Sequence, residues 1–302
     1  MKLKSFIIGT AAALSVASMA IADRGSDGHV NIIYWQAPSI LNPYLSGGTK
    51  DVESSSMIIE PLARYNQDGE LTAWLVNEIP TVANGGVSAD LMSITWNITP
   101  GIKWSDGSAF TAHDVVFSGN YCMDPDGGCA QSNKLADVAN IEALDDLTVK
   151  VTFSVAKPFP YGPFVGAEQP IIQKAQFADC MGAKAPECTA ENFGPIGTGP
   201  FVVTDFKAND VITMEANPHY RDASKPAFAS VTFKGGGDAA AAARSVLETG
   251  EFDYAWNLQI DPTILANMAA VGKGTVISSF GTATERLMVN LSNPDPALGD
   301  LR

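Results

Sequence analysis

Few residues of this chain carry side chains suited to bond-making chemistry. Its three histidines, His29, His113 and His219, stand far apart and in no metal-binding spacing such as H-E-x-x-H. No G-x-S-x-G nucleophile elbow occurs. Asp124-Pro125-Asp126-Gly127 begins like a calcium loop. Gly128 then fills the fifth position and Leu135 the twelfth, where a bidentate Glu belongs, so the run reads as a turn. Gly235-Gly236-Gly237 is followed by Asp238 rather than by G-K-[ST]; an acidic cap repels phosphate, and this run too reads as a turn. Asn97-Ile98-Thr99 and Asn290-Leu291-Ser292 match the glycosylation triplet, but both fall at or beside expected strands and read as coincidence. No nucleophile, base and oxyanion donor can be assembled, so a hydrolase with an unrecognised site is the remoter reading. No metal and no cofactor are implied.

The N-terminus points to export. Lys2 and Lys4 precede an uncharged apolar stretch from Phe6 to Met19, and Ala20-Ile21-Ala22 supplies the small residues of a cleavage site. The apolar run is short for a membrane span, and no Cys follows the expected cut, so residues 1–22 read as a cleavable signal peptide without a lipid anchor. The expected compartment is the periplasm. Residues 1–22 hold two lysines and no acids, so without them 17 basic residues face 33 acidic ones, a net charge of −16. Such a surface repels phosphate backbones and anionic lipid, which argues against nucleic acid as a partner.

The four cysteines fall into two local pairs, Cys122 with Cys129 and Cys180 with Cys188. Three pairings are possible in principle. An exported chain keeps its disulfides, and near neighbours close with the least loop entropy, so the expected bridges are 122–129 and 180–188. Zinc is the alternative, but the spacing is not C-x2-C and no His lies beside either pair.

The elements that would position these residues can be read in outline. Val30 to Trp35 reads as a buried strand, followed by a turn-rich, flexible loop through Asn42-Pro43 and Ser46-Gly47-Gly48-Thr49. A helix is expected from about Val52 to Ile59, and a hairpin turn at Asn66 to Gly69. Ser93 to Ile98 and Thr148 to Val155 alternate with strand periodicity, the latter with Val149, Val151, Phe153 and Val155 on one face. Thr111 and Asp114 form a capping box for a helix to about Cys122. Beyond the Gly/Pro-punctuated connector Gly194 to Pro200, a hairpin is expected at Phe201 to Phe206 and Val211 to Glu215, with a strand at Phe228 to Lys234. A helix from Asp238 to Gly250, a strand at Phe252 to Trp256 and a helix at Pro262 to Ala270 follow. Strands at Gly274 to Phe280 and Glu285 to Val289 close an alternation typical of an α/β layer.

Four motifs in order carry a resemblance. They are Trp104-Ser105-Asp106-Gly107 with Asp114-Val115-Val116-Phe117, then Ile196-Gly197-Thr198-Gly199-Pro200-Phe201, Asn217-Pro218-x-Tyr220 with Lys225-Pro226, and Gly250-Glu251-Phe252-Asp253. Behind a signal peptide, they resemble the peptide-type solute-binding proteins of ABC importers, extracellular family 5. The resemblance implies an α/β, class II periplasmic-binding-protein lobe with a mixed sheet and an appended α+β subdomain. Residues 23–50 and 192–285 would form the discontinuous lobe core, and 51–191 the subdomain. Residues 286–302 would begin a crossover to a second lobe absent from this chain. It also implies a monomer that captures peptides and docks on a membrane permease; an oligosaccharide, nickel chelate or haem is the alternative ligand. The positions that match pocket loops of that family are Gly47, Gly48 and Thr49, then Trp256 and Asn257, then Gln131. Many relatives carry bulkier or charged groups in the first loop, where this chain has Ser-Gly-Gly-Thr.

Overall fold

The computed structural model describes residues 23–235, 237–256 and 258–278. Along the chain these residues form β1 (His29–Tyr34), α1 (Thr49–Ser55), the pair β2 (Ala63–Tyr65) and β3 (Leu71–Ala73), β4 (Ser93–Asn97) and α2 (Ala112–Met123). Then come β5 (Val138–Asp145), β6 (Thr148–Phe153), the short helices α3 (Lys174–Phe177) and α4 (Thr189–Phe193), β7 (Phe201–Lys207), β8 (Val211–Ala216) and β9 (Ser230–Gly235). Helix α5 (Ala239–Arg244), β10 (Tyr254–Trp256) and α6 (Pro262–Ala269) complete the order.

The largest sheet is mixed, with order β10-β1-β9-β8-β7. Strand β1 runs parallel to both neighbours, while β7 and β8 form an antiparallel hairpin against β9. Its strands come from residues 29–34 and 201–256, whereas the smaller sheets, β2-β3 and β4-β6-β5, come from residues 63–153. Period-two patterning explains the three-stranded sheet: Val149, Val151 and Phe153 of β6 are buried, as are Ile94 and Trp96 opposite them in β4. One apolar core runs from Trp96, Trp104 and Phe177 through to Tyr34, Met214 and Phe233. A second, small cluster of Ala243, Leu247 and Met268 lies between α5 and α6.

Two motifs acquire physical reasons. The Thr111–Asp114 capping box starts α2, with the Thr111 amide donating to Asp114 Oδ2 at 2.9 Å. Asp114 also receives Trp104 Nε1 at 3.4 Å and the Lys174 amide at 3.0 Å, which ties the Trp104 turn and α3 to that helix. The connector glycines permit close backbone approach: a Cβ at Gly197 would overlap the Ile58 carbonyl, and the Gly199 amide donates to that same oxygen at 2.8 Å. Beneath the connector, fully buried Glu60 accepts from Trp74 Nε1 at 2.6 Å, Thr198 Oγ1 at 2.9 Å and both Arg221 terminal nitrogens at 2.6 and 3.2 Å. Arg221 in turn stacks over Trp74 and Tyr220.

At the start of the described chain, Arg24 donates to four backbone carbonyls, of Lys225 (2.6 Å), Asn217 (2.7 Å), Tyr220 (2.8 Å) and Asp222 (2.9 Å). Both local disulfides are formed, Cys122–Cys129 and Cys180–Cys188, with Cα separations of 5.1 and 5.9 Å.

Several expectations are corrected. Helix α1 begins at Thr49 and ends at Ser55, not Val52 to Ile59, because Gly48 is its N-cap and Asp51 anchors its first turn. The loop from Asn42 to Thr49 is pinned rather than flexible, with a 3₁₀ turn at Pro43–Leu45 capped by the Asn42 side chain. Strand β6 stops at Phe153, leaving Val155 exposed. Residues 274–278 form no strand, and Ile277 is 89% exposed. Expectations for residues 1–22, for Asn257, for Glu285 to Val289 and for residues 286–302 lie outside the described residues.

Candidate functional site

The candidate surface lies at the C-terminal ends of the parallel strands β1 and β10. In parallel α/β sheets this end is where ligands gather. The register pairs Tyr34 with Trp256 and Ile32 with Tyr254, so strand alternation sets Tyr34, Tyr254 and Trp256 on one face. Tyr34 packs its ring 5.2 Å from Trp256 and 4.5 Å from Phe233, centroid to centroid. Trp256 is half-buried and Tyr254 exposed. Among the described residues no strand pairs with the outer edge of β10. An open hollow of about 700 Å³ borders that edge, lined by Tyr254 and Trp256 together with Leu247, Leu265 and Val276.

The loop of Gly47, Gly48 and Thr49 leads into α1. Asp51, 1% exposed, organises it: its carboxylate accepts from the Ser39 amide at 2.6 Å, Ser46 Oγ at 2.7 Å and Lys50 Nζ at 2.8 Å. Burial alone would raise the Asp51 pKa, but the Lys50, Ser39 and Ser46 hydrogen bonds outweigh it and hold the group below its ordinary value. Gly47 and Thr49 are exposed, and a Cβ at Gly47 would meet open space. The backbone there is free to approach a ligand.

Gln131 sits beneath the loop rather than at its surface. It is 5% exposed and donates from Nε2 to the Ser46 carbonyl at 3.3 Å, while its own backbone carbonyl accepts from Gln169 Nε2 at 3.3 Å. The neighbouring Ala130 amide donates to the Tyr44 carbonyl at 2.8 Å. The segment stapled by Cys122–Cys129 thus supports the glycine loop from below. The structure brings Gly47, Gly48, Thr49 and Gln131 together; Trp256 packs instead beside Tyr34.

Sequence reasoning did not single out Tyr34 and Tyr254, which share the sheet face of Trp256. Glu53 is an exposed residue of α1. Its side chain still reaches solvent, but the protein around it displaces enough water to hold its carboxyl above the usual range. Burial also raises both tyrosines, and the Glu53 charge raises them further. The strand pattern of VNIIYW could have flagged Tyr34 as an inward-facing strand-end residue, but nothing local marks Glu53. The histidines stay apart, and the one group of potential metal donors among the described residues, Cys180, Cys188 and Glu191, has its two sulfurs joined in a disulfide.

A mixed sheet with an open aromatic surface at its parallel strand ends, joined to a second body of small sheets, defines a lobe of the class II periplasmic-binding-protein type. Structural comparison agrees. AppA of Bacillus subtilis, solved with a nonapeptide, superposes with TM-score 0.68 at 22% identity over 77% of this chain and 44% of its own. AgaA of A. tumefaciens R10, solved with agropinic acid, gives TM-score 0.65 at 26% identity, covering 75% and 43%. NikZ of Campylobacter jejuni, solved with Ni(L-His), gives TM-score 0.64 at 22% identity, covering 76% and 43%. The chain belongs to the bacterial extracellular solute-binding proteins, family 5, whose model matches residues 74–302. Among curated relatives, protein XP55 of Streptomyces lividans is 29% identical over 74% of this chain and 38% of its own length. The glutathione-binding protein GsiB of Pectobacterium atrosepticum is 26% identical over 73% and 40%. The chain therefore spans about two fifths of the length of these relatives.

Proposed function

We propose that this chain supplies the first lobe and appended subdomain of an exported, periplasmic component of an ABC importer, and that it captures peptides for a membrane permease. Residues 23–50 and 192–285 make the lobe core in this reading, and residues 51–191 the subdomain. The observation that carries it is the strand-end surface, where half-buried Trp256 packs on Tyr34 with Tyr254 exposed on the same face; the glycine loop adds exposed backbone at Gly47 and Thr49. Aromatic faces take apolar side chains of many shapes, and a bare backbone pairs with another backbone whatever its sequence. Those are the demands of a peptide ligand. The names of GsiB and AppA's nonapeptide complex support the same class.

Nothing in this reading performs chemistry. Capture is followed by closure against a second lobe, and the closed monomer docks on the permease. The agropinic acid and Ni(L-His) complexes of AgaA and NikZ mark the range the fold accommodates, so the peptide assignment is the part to test. Native mass spectrometry is suited to it, on protein purified gently from periplasm, both as the 302-residue chain and with any sequence continuing in frame beyond it. A ladder of small peptide masses on the longer form supports the proposal. A single sugar, opine or metal-chelate mass removes the peptide assignment and leaves the binding class.

A further inference from the structure

We infer that Cys180, Cys188 and Glu191 form a zinc site once the Cys180–Cys188 bridge is reduced, with the two sulfurs and the Glu191 carboxylate as ligands. The inference stands apart from peptide capture and from the strand-end surface.

The donor atoms of these three residues all lie within 4.8 Å of one another, and no other such group occurs among the described residues. Zinc takes thiolate sulfur at about 2.3 Å and carboxylate oxygen at about 2.0–2.2 Å in a tetrahedron, which sets two bound sulfurs about 3.8 Å apart. A disulfide holds its sulfurs at about 2 Å. Opening the bridge onto zinc therefore asks each sulfur to move by under about 1 Å. The Cα atoms, 5.9 Å apart, can stay where they are.

Hydrogen bonds other than the bridge also hold the donors in place. Glu191 follows Cys188 by three residues, at the start of α4. The Asn192 amide donates to the Cys188 carbonyl at 2.9 Å. The buried Asn192 side chain donates to the Ala185 carbonyl at 2.8 Å and accepts from Asn42 Nδ2 at 2.9 Å. Opposite, the Cys180 amide donates to the carbonyl of fully buried Phe177 at 2.9 Å. Cys180 is itself buried, whereas Cys188 and Glu191 are half-buried, so water can complete the tetrahedron. The other bridge differs: among the described residues no His, Asp or Glu joins Cys122 and Cys129 in such a group.

The chemistry balances with a dithiol as reductant. Thiol–disulfide exchange breaks the Cys180–Cys188 bond, the dithiol gives up two electrons and two protons and leaves as a disulfide, and two thiols remain. Zinc then displaces both thiol protons to solvent. Two thiolates favour zinc over calcium or magnesium, which take oxygen ligands. Zinc held there keeps the pair side by side in a chain whose thiols are not yet oxidised.

The test is a zinc titration against a chromophoric zinc indicator, on tag-free full protein with any sequence continuing in frame past Arg302. The protein is reduced with a dithiol and freed of it under argon. Wild type, Glu191→Gln and Glu187→Gln are compared, Glu187 being an exposed carboxylate of the same segment that lies outside the donor group. Reduced wild type should compete with the indicator for zinc and the oxidised protein should not. Glu191→Gln should weaken binding at least about tenfold, and Glu187→Gln should leave it unchanged. Absence of binding, or equal affinity in wild type and Glu191→Gln, overturns the inference. Equal weakening by both variants also overturns it, since only the charge of the segment would then matter. If reduction unfolds the chain, its four thiols bind zinc without regard to Glu191, and equal affinities again decide against the site.

Discussion

The polar cluster under the connector and the aromatic surface at the strand ends use the same side chains to opposite effect. Around Glu60, a tryptophan, a threonine and an arginine all donate to one carboxylate, and Arg221 lies stacked on Trp74 and Tyr220. Among the described residues, Glu53, an exposed carboxylate of α1, has no cation and no hydrogen-bond donor, and Trp256 packs on a tyrosine that donates to nothing. Loss of water without compensation is costly, so a fold tolerates it where something else completes the set. The first cluster is finished by folding. The second is left open to solvent. Asp51 resembles the first in kind, since its ring of donors shapes the loop that a ligand would meet.

This contrast can be broken at four points. Glu60→Gln should have the largest effect, because it leaves Arg221 without its carboxylate: a loss of about 3–5 kcal/mol in chemical denaturation is expected. A loss under about 1 kcal/mol would show that Glu60 is not needed to compensate Arg221. Replacing Cys122 and Cys129 together by serine should cost about 2–3 kcal/mol, the closure entropy of so short a loop, and should loosen Gln131 under Ser46. Hydrogen exchange at the Ala130 amide reads the second consequence; unchanged protection would show that the loop stands without its staple.

Asp51→Asn should cost about 1–3 kcal/mol through the charged hydrogen bonds it weakens. Its folded pKa is depressed, so its contribution is present above the unfolded Asp value of about 3.9 and is lost as the pH falls through the lower folded pKa. The stability gap between wild type and Asp51→Asn should therefore hold from about pH 7 to about pH 5 and close below about pH 4. A gap that persists at about pH 2 would mean that the asparagine acts by packing. Smallest of all, Glu53→Gln should shift stability by no more than about 0.5 kcal/mol, since no internal partner is lost. Thermal unfolding checks this, and a marked destabilisation would place Glu53 with Glu60 rather than opposite it.

Much of the fold was legible because local rules agree with the tertiary structure. The Thr111–Asp114 capping box, the turn after Asn66 and the alternation of β6 each declare themselves within a few residues. The helix after Asp238 ends at Gly250 in the left-handed conformation, where a glycine stop is expected. Other features depend on partners distant in sequence. Helix α1 begins before its apolar residues do, because Asp51 draws in Ser39 and Ser46. Phe252 reads as strand by composition, yet its amide donates back to the Ser245 carbonyl at 3.2 Å, closing the end of the preceding helix, so β10 starts only at Tyr254. Residues 274–278 carry strand-forming side chains without a neighbouring strand among the described residues. The glycine loop was readable as a place of close approach. The pairing of Tyr34 with Trp256 was not, since the sheet joins strands that lie far apart in sequence.

The Arg24 clamp has a practical consequence for anyone attaching something to this molecule. Four carbonyls fix Arg24 against the loop of residues 217–225, and the chain then enters β1 at His29. The strand-end surface begins at the other end of β1, at Tyr34. Six residues of strand separate the two ends, a span of roughly 20 Å. A fluorophore, bead or sensor chip coupled ahead of Arg24 is thus tethered at the pole away from Tyr34 and Trp256. An immobilised molecule would present its aromatic face to the solution, with the arginine acting as a strain relief between the tether and the sheet.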